Sequence, residues 1–198
     1  MDQTTPILSP DLLVSFDDEP LILVDSQDRP VGFLPKAEAH TGEGVLHRAF
    51  SIFLFNPQGE VLMQQRAVGK PLWPLTWSNS CCSHPRRGEE VEAAVHRRLR
   101  EELGLEARVL YLYKFEYHAR YRDVGSEHEL CWVYAARTTG EPTINPTEVA
   151  DWQWLSPEAM DAELEARPDA WSPWCKMEWP RIRAEHWPAV EALGLLDD

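Results

Sequence analysis

The sequence predicts an α/β (α+β) fold in one domain, a mixed sheet with helices around it. Three observations lead there. Short apolar runs bounded by turn residues recur through the first two thirds of the chain. One long stretch, Glu89 to Leu103, carries Val91, Val95, Leu99 and Leu103 every four residues, the buried stripe of an amphipathic helix. Ser-Pro pairs at Ser156-Pro157 and Ser172-Pro173 place a cap residue before a first-turn proline and start two further helices.

Taken in order, residues 1–19 are polar and proline-spotted and read as a loose lead-in, leaving 20–198 as the single domain. Leu21 to Asp25 is a short buried strand. Ser26 to Pro30 has turn chemistry, and Val31 to Leu34 returns as a second strand. Lys36 to His40 forms a helical turn. Arg48 to Phe55 alternates and then runs apolar, as a central strand does; Asn56-Pro57-Gln58-Gly59 turns it, and Val61 to Arg66 comes back as a hairpin. Ala67 to Ser83 is a long aromatic loop. The helix follows and stops at Gly104. Ala107 to Tyr117 and Leu130 to Ala136 are strands linked by a turn at Arg122 to Ser126, and Asp151 to Trp154 is a last short strand. Arg181 to Leu195 is a final helix, bent or broken at His186-Trp187-Pro188.

The 198 residues carry a formal charge of -14 and are 43% hydrophobic, enough for a core. That charge argues against nonspecific binding of nucleic acid or anionic membranes. A phosphorylated ligand remains compatible if cations gather at one spot. No run of about twenty apolar residues spans a membrane, and Met1 to Pro6 lacks a signal peptide's basic start and apolar core. The expected compartment is the cytoplasm. Cys81, Cys82, Cys131 and Cys175 are expected as free thiols.

Chemistry concentrates in Trp77 to Pro85, where Cys82 and His84 stand two residues apart at the mouth of a carboxylate-rich helix. Taken alone, the pair suits a proton or metal site as well as ordinary packing. His40 and His47 bracket a glycine-bearing interval that can fold both rings toward one point. Glu127 and Glu129 fall on one face of a strand, where two like charges need solvent or a cation. Together these five residues read best as a His3Glu2 metal site, a donor mixture suited to Mn, Zn or Fe more than Ca. Arg86, Arg87, Arg97, Arg98 and Arg100 form a basic cluster unusual in so acidic a chain. Salt bridging on a solvated face, as for Arg97 with Glu101, is the plain account. Diphosphate with a divalent metal is the sharper one.

From Ser83 to Leu105 the chain resembles the Nudix box, with Glu89, Arg97, Leu99, Glu101, Glu102, Gly104 and Leu105 in its pattern. Ser83 replaces the box's opening glycine, and Arg98 replaces a glutamate that serves as base in many Nudix hydrolases. Residues 20 to 180 resemble the type I isopentenyl-diphosphate isomerases, a Nudix-fold family. The resemblance rests on Ala39-His40-Thr41, Leu46-His47, Gln65-Arg66-Ala67, Trp73-Pro74, Trp77 to Ser80, Cys82 to Pro85, Glu127-His128-Glu129 and Ser172-Pro173-Trp174. It implies a mixed sheet sandwiched between helices, with an N-terminal strand hairpin and C-terminal helical additions. It also implies interconversion of isopentenyl and dimethylallyl diphosphate through a tertiary carbocation, with protons handled on opposite faces of the substrate. Cys82 and Glu129 would be the proton-transfer residues, with Tyr117 beside Glu129. His40, His47, His84, Glu127 and Glu129 would hold a Mn2+, Zn2+ or Mg2+ ion, and Glu102 the Mg2+ that arrives with the diphosphate. Lys36, Arg66, Lys70 and Arg98 would contact the phosphates, and Trp174 would lie over the hydrocarbon. A monomer is favoured, with a small isoprenoid diphosphate as partner. The alternatives are a Nudix pyrophosphohydrolase acting on a nucleotide derivative, against which Arg98 speaks, and a non-catalytic metal-binding module.

Overall fold

A computed structural model of the chain describes residues 12–194. Its centre is β3 (His47–Phe55), which runs parallel to β8 (Gly125–Arg137) along its whole length and antiparallel to β6 (Cys81–Ser83) on the other side. β1 (Pro20–Val24) and β2 (Pro30–Pro35) pair with each other and join β3 through the register pair Leu23 and His47. β7 (Arg108–Tyr121) forms a long antiparallel pair with β8. β4 (Val61–Arg66) pairs with β5 (Trp77–Ser78) and with β9 (Val149–Leu155). These nine strands make one mixed sheet.

Alternation along β3 decides what each face carries. Phe50, Ile52 and Leu54 point to one face and pack under Val91, Val95, Leu99 and Leu103 of α2 (Val91–Leu103), the stripe expected from the sequence. Gly104 stops that helix in the left-handed conformation, φ 65°. Phe53 and Phe55 point to the other face, where Trp171, Trp174, Trp179 and Ile182 cover them. These residues come from α4 (Pro173–Arg181) and the segments beside it. Helices therefore lie on both faces, as expected.

Several expectations are corrected. The pair Val61 to Arg66 with β3 is barely a hairpin: the two strands touch in register only at Phe55 and Val61, because β8 and β6 occupy the flanks of β3. The long loop Ala67 to Ser83 contains β5 and β6. β7 and β8 extend to Tyr121 and from Gly125, so the turn between them is shorter than read. Ser156 caps α3 (Pro157–Ala166) through Ala159 N–H, as its sequence implies. Ser172 stands at the start of α4 but makes no capping bond; its hydroxyl meets that of Ser78 at 2.8 Å. The break in the last helix is a π-helical segment, Ile182–His186, before α5 (Trp187–Gly194); Leu195 lies outside the described residues. Of the lead-in, residues 1–11 also lie outside them. Residues 12–19 hold no regular element but are tied down: the Val14 carbonyl accepts from Arg98 and the Leu12 carbonyl from Asn145. No described helix is long and apolar enough to cross a membrane.

Candidate active site

The three imidazoles converge. Ring centroids of His40, His47 and His84 lie 4.8, 5.6 and 5.0 Å apart. α1 (Lys36–Ala39) ends at His40, whose Nδ1 sits 2.7 Å from the Lys36 carbonyl. The His47 Nδ1 sits 2.7 Å from the Val45 carbonyl. A carbonyl only accepts, so both Nδ1 atoms carry a proton and both Nε2 atoms face the neighbouring site residues. The His84 Nε2 is 3.2 Å from the His47 Nε2 and 3.2 Å from a Glu129 oxygen, and its Nδ1 is buried without a partner. One ligand atom from each of His40, His47, His84 and Glu129 falls within 4.8 Å of every other. Glu127 stands at the edge of this set, its Oε2 2.8 Å from the His40 Nε2 but outside hydrogen-bond geometry. Three converging imidazoles and two buried carboxylates fit a divalent cation.

Strand register explains the convergence. Glu129 is the direct partner of His47 in β3 and of Tyr117 in β7. The Tyr117 hydroxyl donates to Glu129 at 2.7 Å. Burial opposes ionisation of Glu129, but His47 and Tyr117 outweigh it and hold the carboxyl below its ordinary value. Burial holds His84 well below its ordinary value, with the neighbouring His47 adding to it, so that ring is neutral.

Cys82 and Glu129 line the same cavity, of about 230 Å³, with Tyr117, Trp174, His40, His84 and Glu127. Cys82 is half-buried. Its thiol donates to Asn79 Oδ1 at 3.3 Å, and burial pushes it up to about 12, so it keeps its proton at neutral pH. The Trp174 indole N–H donates to the same Asn79 oxygen at 3.0 Å. Trp174 lies 5.4 Å from Trp73, and the Arg66 guanidinium stands 5.2 Å over its ring.

All four cations expected at a diphosphate, Lys36, Arg66, Lys70 and Arg98, line this cavity. Arg98 is tied to Glu102 at 2.6 Å and to Glu148 at 3.0 Å, and Glu148 also binds Lys70. Burial would weaken the Arg98 charge, but Glu102 and Glu148 outweigh it. Glu102 is buried and one of its oxygens takes two hydrogen bonds from Arg98. Unlike the other expected site residues, Glu102 and the fully buried His47 are absent from the cavity wall. Arg97 bridges Glu89 and Glu101 and reaches the His84 carbonyl, which ties α2 to the imidazole cluster.

A Nudix domain model matches residues 45–175. An isopentenyl-diphosphate Delta-isomerase from Photorhabdus laumondii is 45% identical over 170 residues, covering 85% of this chain and 97% of that protein. One from Nocardia farcinica is 46% identical over 156 residues, covering 78% and 89%. The chain belongs to the isopentenyl-diphosphate Delta-isomerase family. A crystal structure from Deinococcus radiodurans matches with a TM-score of 0.61 at 28% identity, over 75% of this chain and 90% of that one. A MutT protein from Methanosarcina mazei, 14% identical with a TM-score of 0.60 over 71% and 95%, shares the fold.

Three residues of this isomerase-family chain went unread as site residues. Asn79 clamps both Cys82 and Trp174; it stood inside a quoted motif, but an amide gives no signal of what its oxygen accepts. Glu148 gathers Lys70 and Arg98 from a loop with no motif. Gly125 lets the His40 backbone approach: a Cβ there would sit 2.3 Å from the His40 carbonyl oxygen. Gly125→Ala is therefore expected to displace His40 and weaken divalent-metal affinity by about 10–100-fold. Calorimetric metal titration, with circular dichroism as the folding control, measures this; unchanged affinity would refute the steric account.

Proposed function

We infer that this chain is an isopentenyl-diphosphate Delta-isomerase, interconverting isopentenyl and dimethylallyl diphosphate in isoprenoid biosynthesis. The observation that carries the chemistry is the meeting of a protonated thiol, Cys82, and an ionised carboxylate, Glu129, on one cavity. Moving the double bond needs one group to give a proton and another to take one. The reaction runs both ways, so each group does both in turn.

Lys36, Arg66, Lys70 and Arg98 bind the diphosphate. Glu148 holds Lys70 and Arg98 together in advance, so little side-chain freedom is lost when the anion arrives. Trp174 presents an indole to the hydrocarbon, where an electron-rich face stabilises a tertiary cation without attacking it. With Trp73 and Leu72 it keeps water from that centre. Tyr117 orients Glu129. His40, His47, His84, Glu127 and Glu129 would hold a Mn2+, Zn2+ or Mg2+ ion, and Glu102 the Mg2+ accompanying the diphosphate once its pair with Arg98 opens toward the cavity. Such ions neutralise the clustered carboxylates and phosphates.

Nudix hydrolysis of a nucleotide is disfavoured, because the position of the usual base is occupied by Arg98, bound to three carboxylates. Incubating purified protein with isopentenyl diphosphate and Mg2+ in deuterated water should give deuterium-labelled dimethylallyl diphosphate. No labelled product, with phosphate released from a nucleotide panel, would overturn the reading.

A further inference from the structure

We propose that Val124, at the tip of the turn between β7 and β8, decides what becomes of the carbocation: it closes the cavity mouth over the hydrocarbon, and without it water adds to the cation and a tertiary-alcohol diphosphate leaves beside the alkene. The inference rests on the isomerase reading and adds to it a second reaction, hydration, that the closed mouth suppresses.

Most residues lining the cavity are buried or half-buried. Five are exposed and so mark its rim: Asp17, Ala37, Thr41, Pro71 and Val124. Val124 is 56% exposed and is the branched apolar side chain among them. A lone exposed valine is ordinary on a protein surface. This one also forms part of a wall that carries Cys82, Glu129 and Trp174.

Its place is fixed from several sides. The Val124 N–H donates to the Tyr121 carbonyl at 3.1 Å, and Arg122 between them takes the left-handed conformation, φ 52°. The next residue, Gly125, is wedged in: a Cβ on it would strike the His40 carbonyl and stand 3.4 Å from the Leu72 side chain. Leu72 is buried and lines the same cavity. Tyr121 lies 5.0 Å from Trp73, which backs Trp174. The turn therefore meets the wall that holds the indole, and Val124 and Leu72 form an apolar lip there. The diphosphate fills the part of the cavity lined by Lys36, Arg66, Lys70 and Arg98. The lip stands between solvent and the hydrocarbon.

A tertiary cation is quenched by any water that reaches it. Protonation turns the π pair of the alkene into a C–H bond. A lone pair of water then makes the C–O bond at the tertiary carbon, and the proton released from that oxygen replaces the one the site gave up. The sum is addition of one water molecule, with no oxidation or reduction. It competes with loss of a carbon-bound proton to the base, which gives the alkene.

The test incubates the metal-loaded enzyme with isopentenyl diphosphate in water labelled with heavy oxygen. Mass spectrometry at early times reads the ratio of labelled alcohol to dimethylallyl product. Both products come from the same active molecules, so the ratio does not move when a variant merely folds less well. Val124→Ala and Val124→Ser should raise it at least about tenfold above the wild-type level or the detection limit, the order expected when two methyl groups of apolar cover are lost. Val124→Leu keeps the lip closed and should stay at the wild-type level. An unchanged ratio in both truncations, or an equal rise in Val124→Leu, would overturn the proposal while leaving the isomerase reading in place. So would folded truncations that make neither product, because an open lip leaves protonation intact. No dimethylallyl diphosphate from the wild type would remove both.

Discussion

Cys82→Ala is expected to lower kcat by roughly 10²–10⁴-fold, the usual share of a positioned proton-transfer group, with metal content unchanged. The thiol is not among the four converging ligand atoms, so its loss leaves the imidazoles and Glu129 where they are. It keeps its proton in a buried setting and donates it to Asn79, so the lost contact costs about 1 kcal/mol of stability and the fold survives. Asn79 still holds Trp174. The informative result is therefore a well-folded, metal-replete protein with a crippled rate and a nearly unchanged KM. A rate within twofold of wild type would remove Cys82 from the chemistry.

Glu129→Gln should be worse, because one side chain does two jobs. The amide keeps the size of the carboxylate and can still accept from Tyr117, so the local packing is preserved. It can neither take up a proton nor supply the negative charge beside His84 and His47. Loss of the proton acceptor alone costs roughly 10²–10⁴-fold in kcat. Metal affinity should fall as well, by more than the roughly 10–100-fold typical of groups one layer out. Metal analysis after dialysis, alongside single-turnover rates, separates the two effects. Glu127→Gln is the control: it removes a neighbouring charge from the same cluster and should weaken metal binding with a smaller effect on the chemical step. Equal kinetic losses in both variants would mean that Glu129 acts only as a ligand.

Much of this site was legible because its residues are chemically conspicuous. Two histidines around glycines, a Cys and a His two apart, and alternating glutamates on a strand each also suit packing or solvent; they were legible as a set, and the family resemblance gave them roles. The helix Val91–Leu103 was equally plain, since a four-residue apolar period has one interpretation. What stayed hidden depended on contacts between distant residues. β5 and β6 are two and three residues long, too short to show any period, and exist because β4 and β3 supply their partners. The β3–β4 hairpin opens because β8, far along the chain, takes one flank of β3 and β6 takes most of the other. Glu148 and Glu178 stand in no motif, and a carboxylate's burial is decided by the whole fold. Ser172 has the sequence of a helix cap, but the nearby Ser78 hydroxyl binds its side chain instead.

The parallel alignment of β3 with β8 sets the order in which a newly made chain becomes competent. His40 and His47 leave the ribosome early, but their carboxylate companion is Glu129, in a strand that pairs beside His47 only after α2 and β7 have been made. Until that late strand docks, nothing holds the two early imidazoles against the acid that completes their set. Assembly of the donor set thus has to wait for a strongly non-local pairing, a slow class of folding event.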